Sequence, residues 1–417
     1  MAQSVTCLLV GAGIRGRQYV QHAVASDKDF KPVAVAEPDD VRREAFGNAF
    51  GIPANRRFKT WQDAAKAGRV ADCVINATLD DMHRDSAVGL LDLGYNMLLE
   101  KPIARTEKDM FDIANAAERN RATVMICHVL RYSPFYSMVK DVVESGRLGR
   151  IKHIRMSENV SWHHFGTAFV RGRFRNAKTA APFILAKSCH DTDIMAWLLS
   201  GNPPKRVSAF GSLTHYVASN APQGATDRCY DGCPHLKSCK FSAENIYVTG
   251  NMWRFRALGD FNGTDDEARE ILKTAPHGRC VWKCDNDVTD QMSVSVEFAD
   301  GAIGTLSSQG FATRPNRDIV IYGTDAELIG DMEESTFEIR TPNPPGGGFE
   351  REVVNTQSGS GDEKSGHGGG DGRLMRDFVN VMRGSGANRT RIEDSINGHR
   401  IGFAAEDSRL TGRWIEL

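Results

Sequence analysis

The sequence predicts an α/β unit with a parallel, doubly wound sheet, followed by an α+β unit on an open, mostly antiparallel sheet. Three observations predict this. Over the first 128 residues, short apolar strands alternate with helical patterns, as in a parallel sheet covered on both faces. The first strand runs directly into Gly11-Ala12-Gly13-Ile14-Arg15-Gly16 and then a helix. Farther on, period-2 segments flank Asp300-Gly301, a hairpin turn signal. The 417 residues suit two units at roughly 100–200 residues per domain. We place the boundary after residue 128, giving 1–128 and 129–417.

Composition narrows the class. Lys and Arg total 52 against 53 Asp and Glu, with 41% hydrophobic and 25% charged residues. That excludes a disordered chain, a collagen-like chain and a basic nucleic-acid binder. No run approaches the roughly 18 uncharged apolar residues of a membrane span. The first cation, Arg15, follows the first apolar run rather than preceding it, so no secretory leader is expected. We expect a cytoplasmic protein with no nucleic-acid or membrane partner. Its nine cysteines are then thiols, metal ligands or redox groups rather than structural disulfides.

Val5 to Val10 reads as the first strand, and Tyr19, Val20, Ala23 and Val24 mark one side of the helix after it. Gly11 permits the tight turn, Gly13 lets the backbone approach a pyrophosphate, and Gly16 lets helix and strand pack closely. Ile14 and Arg15 open the helix, whose N-terminus faces the phosphates. Pro32 to Ala36 is the second strand and ends at Glu37, 21 positions after Gly16. A carboxylate there hydrogen-bonds a ribose 2′-hydroxyl and repels a 2′-phosphate, which favours NAD. Arg42 and Arg43 nearby keep NADP open. Val70 to Ala77 and Tyr95 to Leu99 are further strands, with a helix from His83 to Leu93 between them. Thr78, His83, Glu100 and Lys101 fall beyond the carboxyl ends of strands, where doubly wound sheets bind ligands.

The Gly-Ala-Gly-Ile-Arg-Gly turn, Ala77-Thr78 with His83 five residues on, and Leu98-Leu99-Glu100-Lys101-Pro102-Ile103-Ala104 resemble the Gfo/Idh/MocA oxidoreductases. The resemblance covers essentially the whole chain and is densest in the first 135 residues. It implies a Rossmann domain holding a nicotinamide cofactor, a sugar or cyclitol substrate, and a homo-oligomer, dimer or tetramer. It also implies that Lys101 touches both nicotinamide and substrate. The typical Ala-Thr-Pro is Ala77-Thr78-Leu79 here. Arg131-Tyr132-Ser133-Pro134 resembles the family's Arg-Phe-x-Pro exit from the cofactor domain, and Arg131 is a substrate-binding candidate.

Thr123 to Val129 is a strand, Phe135 to Ser145 a helix, and Ile151 to Val160 the first strand of the second sheet. His163 and His164 are adjacent in a polar, aromatic stretch; substrate contact is favoured over metal, since no acidic or cysteine partner stands at useful spacing. His190 and Asp193 open a helix with Ile194, Trp197 and Leu198 on its apolar face, resembling the family's substrate-domain motif. The resemblance makes His190 the catalytic histidine. An imidazole takes the hydroxyl proton as the hydride leaves, while Lys101 orients the hydroxyl and stabilises the developing alkoxide. Family members often carry an aspartate four residues before this histidine; that position is Ala186. Lys187 is its neighbour, and Asp191 and Asp193 are possible substitutes.

Cys229, Cys233, Cys239, Cys280 and Cys284 fall within 56 residues as C-x3-C-x5-C and then C-x3-C. A structural zinc site on Cys229, Cys233, Cys239 and Cys284, with Cys280 as the alternative ligand, is one reading. A disulfide, an iron–sulfur cluster and free thiols are the others. These residues belong to an insert near 214–290. Beyond the hairpin, Ile319 to Tyr322 and Phe337 to Ile339 continue the sheet, and Pro342 to Gly370 reads as a glycine-rich loop. His367 either faces the substrate or belongs to a linker before a helix capped by Asp371, with its body from Leu374 to Arg383. Ile392 to Leu410 is the final helix despite Gly398 and Gly402.

The leading expectation is an NAD(P)-dependent oxidoreductase moving a hydride between a sugar, cyclitol or glycoside hydroxyl carbon and nicotinamide. The alternatives are a redox-dependent glycoside hydrolase that retains NAD, and a non-catalytic nucleotide-binding regulator.

Overall fold

The structure, a computed structural model, describes residues 4–259, 261–344, 346–357 and 366–417. Six strands form the first sheet: β1 (Val5–Val10), β2 (Phe30–Ala36), β3 (Arg57–Phe58), β4 (Cys73–Asn76), β5 (Asn96–Leu99) and β6 (Val124–Ile126). They pair in parallel in the order β3-β2-β1-β4-β5-β6. The order reverses between β1 and β4, so a crevice opens beyond the carboxyl ends of these two strands. Residues of β1, β4 and β5 are buried on both faces, as apolar runs in a covered parallel sheet should be. The strand expected over Val70 to Ala77 contracts to its apolar centre.

One face of this sheet is completed from far along the chain. Helix Gly370–Met382 lies against helix Ile14–Ser26, with Leu374, Met375, Phe378 and Val379 joining Tyr19, Val20 and Ala23 in one core. After β6, Ser133 caps helix Pro134–Glu144 by accepting the Tyr136 amide, with proline in the first turn.

The second sheet has nine strands: β7 (Ile151–Ser161), β8 (Pro204–Ser212), β9 (Gln291–Phe298), β10 (Ile303–Ala312), β11 (Asp318–Gly323), β12 (Glu327–Asp331), β13 (Thr336–Pro342), β14 (Phe349–Asn355) and β15 (Ile415–Glu416). Their order is β14-β13-β12-β11-β7-β10-β9-β8-β15. Only β7 and β10 run parallel, and the sheet stays open. Helices Cys189–Leu198 and Ile392–Thr411 cover one face; Ile194, Met195, Ile401 and Ala405 share a core with Val207, Val294 and Leu306. Two glycines of the last helix mark close approaches, Gly398 to helix Cys189–Leu198 and Gly402 to the short helix Phe183–Ala186 before it. A Cβ on Gly398 would stand 2.6 Å from the Asp193 Cα, and one on Gly402 would stand 2.7 Å from Leu185.

β14 corrects the glycine-rich loop expected over Pro342 to Gly370. It pairs with β13 at the sheet edge, its residues almost all exposed, so no apolar alternation announces it. Residues 345 and 358–365 of that expected loop lie outside the described residues. The cysteine-bearing insert has little regular structure but a small core of its own, with Ile246, Tyr247, Val248, Ala268 and Leu272. Its helix Asp265–Thr274 starts from a reciprocal Thr264–Glu267 capping box. Among the described residues no helix is long and apolar enough to cross a membrane.

Candidate active site

The crevice begins at the glycine turn. Gly11 has φ +88°, and a Cβ there would lie 2.4 Å from the Ala77 carbonyl oxygen. A Cβ on Gly16 would stand 2.1 Å from the Gly11 carbonyl oxygen, so the turn and the helix meet backbone to backbone. Gly13 is different: a Cβ there would meet nothing within 4 Å. It caps helix Ile14–Ser26 without any side-chain hydrogen bond, leaving first-turn amides to an incoming phosphate. Glu37 is buried at the end of β2; its Oε2 accepts the Ala12 amide at 2.8 Å and its Oε1 accepts from Asp39 and Arg42, each at 3.0 Å. The open cradle at Gly13 and the carboxylate beside it fit a dinucleotide.

At the end of β5, Glu100 and Lys101 enter the crevice. The Lys101 Nζ donates to the Ala186 carbonyl at 2.7 Å, which places the ammonium one helical turn from His190. So the position where the resemblance leads us to expect an aspartate supplies its backbone oxygen instead. His190 is buried, and its Nδ1 has no hydrogen-bond partner among the described residues. Burial pushes its imidazole well below the ordinary value, and Lys101, His367, His128 and Lys187 repel the charged form further.

Arg15 does more than open a helix. It grips Asp371 with two bonds of 2.8 and 3.0 Å, and its Nε reaches Glu100 at 3.2 Å. Tyr19 donates to the same Glu100 oxygen at 2.7 Å. Burial works to raise the Asp371 carboxyl, but Arg15 and His367 hold it well below the usual carboxylate range. The Asp371 carboxylate also meets His367 Nδ1 at 3.2 Å, and the His367 ring centroid lies 5.6 Å from that of His190. His367 has φ +56°, followed by Gly368 and Gly369 in the same left-handed region. The His367 imidazole lies beside that of His190 from this left-handed turn. Asp371 sits inside its helix rather than capping it, and no local signal in the sequence pairs it with Arg15.

Several predicted contacts fall elsewhere. His83 is fully buried, with Nδ1 2.7 Å from the Pro102 carbonyl oxygen and Nε2 3.3 Å from that of Thr78. It ties two turns together and leaves no atom for a cofactor. Thr78 turns its hydroxyl to Asn76 at 3.0 Å. Arg131 is buried and bidentate to Asp193 at 2.6 and 2.8 Å, so it locks the His190 helix to the segment that follows β6 rather than touching substrate. Asp191 is likewise buried and accepts from Arg317 at 2.8 Å. Lys187 borders the crevice but pairs with Glu158 at 3.2 Å. His163 and His164 form a wall with Trp253, whose ring lies 4.1 Å from that of His164.

Zinc finds no support. Among the described residues, no three cysteine, histidine, aspartate or glutamate side chains gather as a metal site. Cys229, Cys233, Cys239 and Cys280 line the wall of a small cavity rather than converging on a point, and Cys284 lies outside it. The Cys284 thiol donates to the Cys280 carbonyl at 3.2 Å, and Cys229 accepts the Ala243 amide at 3.4 Å. All nine cysteines are free thiols.

A Rossmann unit with a dinucleotide cradle and a lysine at its mouth, facing a histidine from a second unit, defines an NAD-binding oxidoreductase. Comparison with known proteins gives the family. Residues 5–128 match the oxidoreductase-family model for an NAD-binding Rossmann fold, and residues 136–329 match the GFO/IDH/MocA C-terminal domain. The chain belongs to the GFO/IDH/MocA oxidoreductase family. YteT of Bacillus subtilis, which carries an oxidoreductase name, is 24% identical over 74% of this chain and 72% of its own. Inositol 2-dehydrogenase of Salmonella typhimurium is 25% identical over 46% of this chain, and the match spans 54% of that enzyme. An inositol dehydrogenase homologue from Azotobacter vinelandii, solved with NAD+, superposes with a TM-score of 0.71 at 18% identity, covering 100% of this chain and 98% of that one.

Proposed function

We propose that the protein is a dehydrogenase that oxidises a hydroxyl carbon of a sugar, cyclitol or glycoside. The observation that carries the reading is the convergence of Lys101 and His190, from opposite units, at the mouth of the dinucleotide crevice. Bound NAD would rest on the Gly11–Gly16 turn with Glu37 at its ribose, and it supplies the hydride acceptor. Lys101 has ammonium protons beyond the one given to Ala186, so it can hold the substrate oxygen and offset its developing charge. His190 stays neutral over the working pH range and takes the hydroxyl proton. His367 lies close enough for one water to bridge it to His190, and its side chain is 32% exposed. With Asp371 stabilising its imidazolium, it carries that proton on to solvent.

The test is NADH formation against a panel of sugars, cyclitols and glycosides. Absorbance growth that depends on Lys101 and His190 supports the reading. Aglycone release with retained NAD and no NADH growth replaces it with redox-dependent hydrolysis. Bound NAD with no turnover and a stable protein partner replaces it with a regulator.

A further inference from the structure

The charges around the crevice point beyond a neutral polyol. Its carboxylates are already matched. Glu100 and Asp371 hold Arg15, Glu158 holds Lys187 and Arg317, and Asp191 holds Arg317. Across from them stands the arm of the insert that follows Trp253. Trp253, at φ +59°, lies on His164, and the Arg256 guanidinium sits over two rings, 5.5 Å from the Trp253 centroid and 5.2 Å from that of Phe255. These rings flank a side chain that is otherwise exposed. Arg256 lies within electrostatic reach of Arg15, Arg173, Glu100 and Asp371, so it overlooks the reacting end of the crevice. Arg173 itself rests on Phe174 at 4.4 Å. Among the described residues, no carboxylate pairs with Arg256 or Arg173.

Two exposed guanidiniums within electrostatic reach of each other, each on an aromatic face and neither with a carboxylate partner among the described residues, form a recognition surface for an anion. Guanidinium presents a planar fork of donors that matches a carboxylate. We propose that Arg256, with Arg173 beside it, is a subsite for a carboxylate carried by the substrate, so that the substrate class is a sugar acid or uronide. This rests on the dehydrogenase reading above and narrows it.

The experiment compares matched neutral sugars, uronates and sugar phosphates in the wild type, Arg256→Gln and Arg256→Lys. The wild type is expected to prefer the uronate. In Arg256→Gln the uronate-to-neutral ratio of kcat/KM should fall about ten- to a hundredfold, the worth of a charged hydrogen-bond pair. Arg256→Lys should recover only part of it, since an ammonium lacks the fork. Calorimetric binding of a uronate to the NADH-loaded protein gives a readout independent of turnover. Binding should be present in the wild type and lost in Arg256→Gln. No preference for the uronate, an unchanged ratio in Arg256→Gln, or stronger use of the phosphate would overturn the subsite while leaving the dehydrogenase reading intact. No NADH formation on any compound would instead sink that reading, and the calorimetry would still decide the subsite.

Discussion

Asp371→Asn tests the clamp between the glycine turn and the far end of the chain. The carboxylate holds Arg15 through bonds of 2.8 and 3.0 Å and meets His367 at 3.2 Å. Its side chain is 3% exposed and that of Arg15 is 22% exposed. Breaking a fully buried ion pair costs about 3–5 kcal/mol. Arg15 keeps Glu100 and some access to water, so we expect about 2–3 kcal/mol here. The assay is denaturant unfolding of both proteins at a series of pH values. The folded pKa of Asp371 is depressed, so its contribution is full above the unfolded value of about 3.9 and is lost as pH falls through the folded value. The gap between the proteins should therefore be flat from about pH 7 to 8.5 and close only in acid. A gap under about 0.5 kcal/mol at neutral pH, or one that shrinks between pH 7 and 8.5, would refute the clamp.

Four further outcomes are expected. Lys101→Ala should lower kcat about a hundredfold or more while NADH titration by fluorescence shows binding retained; unimpaired turnover would remove Lys101 from the chemistry. Gly16→Ala pushes a Cβ to 2.1 Å from the Gly11 carbonyl oxygen, which cannot yield, so cofactor binding should vanish and stability fall by about 1–3 kcal/mol. Since His190 must be neutral to accept a proton and its pKa is depressed, kcat/KM should hold through neutral pH and fall only well below pH 6.5. An acid limb centred at or above 6.5 contradicts that environment. Gly398→Val should force the last helix off the Asp193 backbone, lowering the unfolding midpoint and also kcat, because the helix that carries Asp193 presents His190.

Five of the six strands of the first sheet were legible because their signals are local, while β3, two residues long, left no pattern to read. Glycine spacing, a strand end and an acidic residue 21 positions on all lie within one stretch of chain. Lys101 and His190 came from motif resemblance, and the geometry brings them together. What escaped the sequence depends on contacts across long separations. Arg131 looks like a ligand contact until Asp193 occupies its fork, and Arg15 looks like a phosphate neighbour until Asp371 arrives from 356 positions away. β14 escaped for a different reason. It lies at a sheet edge with both faces wet, so backbone pairing alone holds it and no hydrophobic period records it. The cysteine spacing suggested convergence, but spacing fixes only how far the sulfurs can separate, not where their side chains point.

Helix Gly370–Met382, which seals the first core, sets the order in which this protein can mature. During synthesis the nucleotide-binding half emerges early, yet Tyr19, Val20 and Ala23 keep an uncovered greasy flank until residues near 375 leave the ribosome. At ordinary elongation rates that is roughly 20–70 s of exposure. A fragment ending after β6 would carry that flank permanently, and a nascent chain stalled in the second half would present it to chaperones or to neighbouring chains.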